Sequence, residues 1–89
     1  MFTCYIIYSY KDKKLYVGHT NNIERRIKEH TEGKIKSTKE RRPLTIIHCE
    51  VFSTRSEAIK REKFFKSLYG SRAKQKIVKK FLDNKNQKF

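Results

Sequence analysis

Eighty-nine residues suffice for one domain with a modest core, since a chain this short buries only about 60–65% of the surface its unfolded form exposes. Hydrophobic and charged residues each make up 36%, with five tyrosines and six phenylalanines, which excludes a disordered polar chain and describes a folded domain in a charged coat. Lys and Arg outnumber Asp and Glu by 23 to 9, a net +14 spread along the whole chain, so a polyanion, foremost nucleic acid, is the expected partner against the alternative of a basic protein that binds nothing in particular.

Phe2 to Tyr10 is rich in β-branched and aromatic residues, and a second short run, Lys14 to Gly18, follows a polar Lys-Asp-Lys that can turn the chain. The two form an expected hairpin. Tyr5 and Tyr16 share a face only if paired residue numbers sum to an odd value, as with Tyr5 opposite Gly18, and a two- or four-residue loop gives that sum. Asn21 with Glu24 resembles a capping box, so a helix is expected from about Asn22 to Glu32, stopped by Gly33. From Gly33 to Arg42 the sequence GKIKSTKERR carries Lys34, Lys36, Lys39, Arg41 and Arg42 with one acid, and reads as an exposed basic loop. Leu44 to Phe52 is a third strand. Thr54 and Glu57 repeat the capping box and open a helix that Gly70 is expected to end, and a last helix runs from Ser71 to about Leu82.

The reading is an α+β domain over residues 1–83, a three-stranded antiparallel sheet with three packed helices in the order β-β-α-β-α-α, and a frayed tail over 84–89. Cys4 and Cys49 each sit in an apolar run without zinc-ligand spacing and are expected to be buried thiols. No apolar stretch reaches membrane-spanning length and no leader is visible, so a cytoplasmic protein with no membrane partner is expected.

Three polar residues occupy apolar faces. Arg26 and His30 share one side of the first helix with Ile23 and Ile27, and Glu62 falls inside the stripe of Ala58, Ile59, Phe65 and Leu68. Each has a structural explanation: Arg26 can snorkel, His30 can sit on the helix dipole or a carbonyl, and Glu62 can pair with a lysine or with Arg26. An unpaired buried carboxylate would cost several kcal/mol, so Glu62 needs a cation or a metal.

Thr-Cys-Tyr at residues 3 to 5, Tyr-Val-Gly at 16 to 18, NNIERRIKEH and then AIKREKFF together resemble the GIY-YIG nuclease superfamily, in particular its small stand-alone UPF0213-like members, related to the nuclease subunit of structure-specific endonucleases. The resemblance covers about residues 2 to 80. It implies catalytic roles for Tyr5, Tyr16, Arg26, His30 and Glu62: one tyrosine as general base in a positive field that lowers its pKa, Arg26 stabilising the transition state, and Glu62 holding one divalent cation, Mg²⁺ or Mn²⁺. DNA would be the substrate, branched or damaged forms included, with Gly18 admitting a close approach and Lys34, Lys36, Lys39, Arg41 and Arg42 on the backbone. A protein partner would supply specificity. The first motif lacks the family's glycine and isoleucine, and no asparagine lies between Phe64 and Asp83 where many family nucleases carry one. The alternative is therefore a catalytically weak or inactive nucleic-acid-binding module of the same fold.

Overall fold

A computed structural model describes residues 1–86. The sheet has the order β2-β1-β3, antiparallel throughout, built from β1 (Phe2–Ser9), β2 (Leu15–Thr20) and β3 (Leu44–Phe52). Being central, β1 is covered on both faces, which explains why its apolar run is continuous rather than alternating: every residue from Thr3 to Ser9 is buried. The hairpin register is the odd-sum one, with Tyr5 opposite Gly18 and Ile7 opposite Tyr16. Ser9 N–H donates to the Lys14 carbonyl at 3.0 Å, closing a loop in which Lys13 takes φ 59°.

The helices are α1 (Ile23–Thr31), α2 (Lys36–Lys39), α3 (Arg55–Lys66) and α4 (Leu68–Asn86). The expected order of elements holds, and the one-turn α2 is an addition to it. On one sheet face Cys4, Ile6 and Val17 pack with Phe65 of α3, ringed by Leu15, Ile47, Phe52, Phe64, Ala73 and Ile77, while α1 covers the other face over Tyr5 and Tyr16. Among the described residues no helix is long and apolar enough to cross a membrane.

Several local expectations need correction. Asn22, not Asn21, caps α1 by accepting from the Arg25 amide at 3.1 Å. β2 runs two residues past Gly18, so His19 belongs to the sheet. The basic segment 33–42 is not a featureless loop, because α2 forms within it and buries Thr38 completely. Cys4 is buried, but Cys49 on β3 is exposed. α4 passes the expected end at Leu82 and includes residues 84–86, so that part of the expected tail is helical, and 87–89 lie outside the described residues.

Gly70 does not stop a helix. α3 ends at Lys66, Ser67 breaks the helical phase with ψ 168°, and Gly70 lies within the first turn of α4. A Cβ there would stand 2.1 Å from the Phe64 carbonyl oxygen and 2.7 Å from Phe65 Cα, so glycine is needed for the two helices to meet at this angle. The same break removes Leu68 from the apolar stripe assigned to it, leaving that side chain 90% exposed.

A candidate active site at the edge of strand β2

The odd register places Tyr5 and Tyr16 side by side, ring centroids 6.4 Å apart. Gly18 makes this possible: a Cβ at that position would lie 2.5 Å from the Tyr5 hydroxyl oxygen. Its missing side chain is therefore filled from within the protein, by Tyr5, instead of being left open for substrate.

α1 delivers Arg26 and His30 onto this pair. His30 Nε2 is 3.1 Å from the Tyr5 hydroxyl, and Arg26 Nε–H donates to the same oxygen at 3.4 Å. Arg26 also pairs with Glu29 one turn on, at 3.2 Å. The His30 ring meets Tyr16 edge-on at 5.2 Å, and its other nitrogen, Nδ1, is 2.7 Å from Thr38 Oγ1. Burial, reinforced by the Arg26 charge, pulls His30 down to about 4, so it is a neutral imidazole near pH 7.

Two proton arrangements fit these distances. A neutral ring offers one N–H and one bare nitrogen. With Tyr5 O–H donating to Nε2, Nδ1–H donates to Thr38 Oγ1 and the Thr38 proton finds no acceptor among the described residues; with the other tautomer, Thr38 O–H donates to Nδ1, Nε2–H donates to Tyr5, and the Tyr5 proton finds none. Both tautomers partner both ring nitrogens, and the first of them presents a bare Nε2 to the Tyr5 hydroxyl. Burial pushes the Tyr5 phenol up, outweighing the Arg26 hydrogen bond that pulls it down, so Tyr5 is not a phenol lowered by the positive field.

Glu62 approaches from the opposite face. Its Oε1 is 2.7 Å from His19 Nδ1 and its Oε2 accepts from Lys66 Nζ at 2.8 Å. His19 follows Gly18 on the outermost strand, so its side chain points away from Tyr5, and Glu62 reaches His19 from the α3 side, its hydrogen bonds going to His19 and Lys66. Its charge is nevertheless close enough to act on Tyr5. Burial raises the Glu62 carboxyl, but the Lys66 and His19 hydrogen bonds prevail and hold it below the usual range. An ionised, partly exposed carboxylate whose oxygens each keep a second lone pair fits a hard divalent ion that binds one protein ligand and retains its waters.

The structure thus joins Tyr5, Tyr16, Arg26 and His30 by direct contact, with Glu62 one strand away. Sequence reasoning missed His19, Thr38 and Lys66. His19 lies in the two residues by which β2 outruns the expected strand end at Gly18, and Lys66 carried the only usable signal, its i+4 spacing from Glu62.

Of the basic segment, Lys36 and Lys39 are exposed, while Lys34 pairs with Glu32 at 3.1 Å. Arg41 is not free for a phosphate: Nε–H donates to Asp12 at 2.7 Å and its fork reaches the Leu15 carbonyl at 3.3 Å, locking the segment to the hairpin. Arg42 donates to the Lys39 carbonyl at 3.0 Å.

A family profile described as the GIY-YIG catalytic domain matches residues 1–77. A UPF0213 protein of Bacillus velezensis is 43% identical over 70 residues, 78% of this chain and 71% of that protein, and one of Haloquadratum walsbyi is 41% identical over 73 residues, 81% of each. The solution NMR structure of a UPF0213 protein from Bacillus halodurans superimposes with a TM-score of 0.54 at 33% identity, over 86% of this chain and 83% of that one. The chain belongs to the GIY-YIG family, whose domain is one of nuclease-type DNA hydrolysis. Within that family its likeness is to the small UPF0213 proteins.

Proposed function

We propose that this protein hydrolyses phosphodiester bonds of DNA, and that Tyr5, Tyr16, Arg26, His30 and Glu62 carry the reaction. The single observation that supports this best is the hydrogen-bonded series Arg26, Tyr5, His30, Thr38. This series links a guanidinium, a phenol and a neutral imidazole into a path along which a proton can move.

In this reading Tyr5 acts as a relay. As water attacks phosphorus, its proton passes to the Tyr5 oxygen while the Tyr5 proton passes to His30 Nε2, so no free phenolate forms and the raised pKa of Tyr5 is no obstacle. The relay uses the tautomer in which Thr38 accepts from Nδ1–H and Nε2 is bare. His30 is a weak base at rest chiefly because it is buried and secondly because of the Arg26 charge, and an arriving phosphate strengthens it by offsetting the second of these. Arg26 offers its remaining N–H groups to the phosphate oxygens, where charge grows in the transition state. Tyr16, half-buried against His30, forms the wall beside the reacting group. Glu62 would hold the Mg²⁺ or Mn²⁺ that the family generally uses, with Lys66 swinging off Oε2 and His19 keeping the carboxylate aimed. When bound, that ion would neutralise charge on the phosphate and the departing oxygen.

A second reading, a nucleic-acid-binding module without useful chemistry, is favoured by two features: Tyr5 is only 1% exposed, and both oxygens of Glu62 are engaged. The two readings part on one assay. Wild type, Glu62→Gln and Arg26→Ala, each checked for fold by circular dichroism, are incubated with plasmid, branched and flapped DNA and Mg²⁺ or Mn²⁺. Cleavage by wild type that drops about a hundredfold or more in each variant supports hydrolysis. Binding without cleavage supports the module, and cleavage unchanged in both variants removes these residues from the reaction.

A further inference from the structure

The end of α3 and the start of α4 carry the most exposed pair of large apolar side chains in the described residues, Leu68 at 90% and Tyr69 at 89%. They are adjacent in sequence and stand on a rigid corner: Ser67 Oγ–H donates to the Phe64 carbonyl at 2.6 Å, the Gly70 amide donates back to the Ser67 carbonyl at 3.2 Å, and Gly70 is buried against Phe64 and Phe65. The corner cannot fold down to hide them. Helical spacing continues this outward face through Arg72, Lys76 and Lys79, all exposed, while Ala73 and Ile77 turn to the core.

Charge decides which occupant fits. Between Lys63 and Leu82 the chain carries seven Lys or Arg and no Asp or Glu. A second copy would bring the same cationic stripe against itself, whereas a nucleic-acid strand offers phosphates to the stripe and a flat apolar base to the two side chains. A rigid tyrosine beside an aliphatic side chain is also what unstacking a base requires. α3 connects the corner to the candidate site, since Lys66, two residues before Leu68, is the residue on Glu62.

We propose that Leu68 and Tyr69 form a wedge that receives an unpaired or unstacked base of DNA, with Arg72, Lys76 and Lys79 following its phosphates, and that this corner makes the protein prefer DNA with interrupted pairing over intact duplex. This inference rests on the DNA-binding part of the proposed function and does not require cleavage.

The test uses the full chain without divalent cation and two oligonucleotides, an intact duplex and the same duplex with one unpaired 2-aminopurine, read by fluorescence anisotropy and by 2-aminopurine emission. Wild type is expected to bind the interrupted duplex more tightly and to change the emission of its unpaired base. Tyr69→Ala and Leu68→Ala should lose roughly five- to hundredfold on the interrupted duplex and about twofold or less on the intact one, with Tyr69→Trp restoring the difference. At this exposure the alanine variants should fold as wild type does. Equal affinity for both duplexes, or an equal loss on both in the variants, overturns the wedge and leaves the proposed function standing. Failure of wild type to bind either duplex overturns both. A concentration-dependent dimer by sedimentation, or binding to anionic lipid vesicles, that the Leu68→Ala/Tyr69→Ala variant abolishes while DNA preference is unchanged also overturns it, by assigning the corner to another occupant.

Discussion

Thr38 shows how much a single hydroxyl decides. It is wholly buried, it lies eight residues from His30, and its hydroxyl is the hydrogen-bond partner of the imidazole Nδ1 at 2.7 Å. Replacing it with valine keeps the shape and leaves the His30 Nδ1 without a partner in a dry site, so Thr38→Val should lose about 1–3 kcal/mol in urea denaturation while Thr38→Ser loses much less. His30 also links stability to pH. Its folded pKa, about 4, lies below the ordinary 6.5, so the unfolded chain takes up a proton first as pH falls. The contribution is fully present above about pH 6.5 and is lost progressively down to about 4, up to about 3 kcal/mol in all, and His30→Gln should flatten that part of a denaturation series measured between pH 7 and 4. Arg26, His30 and Glu62 were legible in the sequence because each interrupts an apolar stripe. Thr38 was not, since a threonine among lysines reads as solvated, and its burial depends on α2, which four polar residues do not announce.

The strands and their register could be read closely: β3 has the bounds its composition indicates, and the odd-sum pairing follows from loop length and pleat. The junction of α3 and α4 could not. A glycine after an apolar run looks the same whether it ends a helix or lets two helices meet, and only the Phe64 carbonyl 2.1 Å from its would-be Cβ separates the cases. Gly70→Ala should accordingly cost about 2 kcal/mol or more, read as a fall in the midpoint of thermal or urea unfolding, whereas a helix-stop glycine at φ > 0 would lose only about 1 kcal/mol. The break at Ser67 also explains the misplaced Leu68: a stripe extrapolated across a phase change points the wrong way. Likewise, Arg41 looked like a phosphate ligand because its partner Asp12 lies 29 residues away on the hairpin, a pairing that spacing alone does not reveal.

Across the whole molecule, the +14 charge and the fold act together. DNA affinity should fall steeply with salt, and Lys36→Ala with Lys39→Ala should reduce the slope of log K against log salt by about 2, whereas Arg41→Ala should change stability more than slope. A flat salt response would disconnect the charge from binding. The same architecture sets the two halves of the candidate site on opposite faces of one outer strand, with the Tyr5 hydroxyl over Gly18 and the Glu62 carboxylate on His19. Tyr5 is the residue on which the reading of these halves as one site depends, so its hydroxyl is the atom to remove. In single-turnover cleavage of a branched oligonucleotide with Mn²⁺, Tyr5→Phe should bind DNA as wild type does and cleave about a hundredfold or more slowly. Tyr5→Phe cleaving at the wild-type rate would contradict the account.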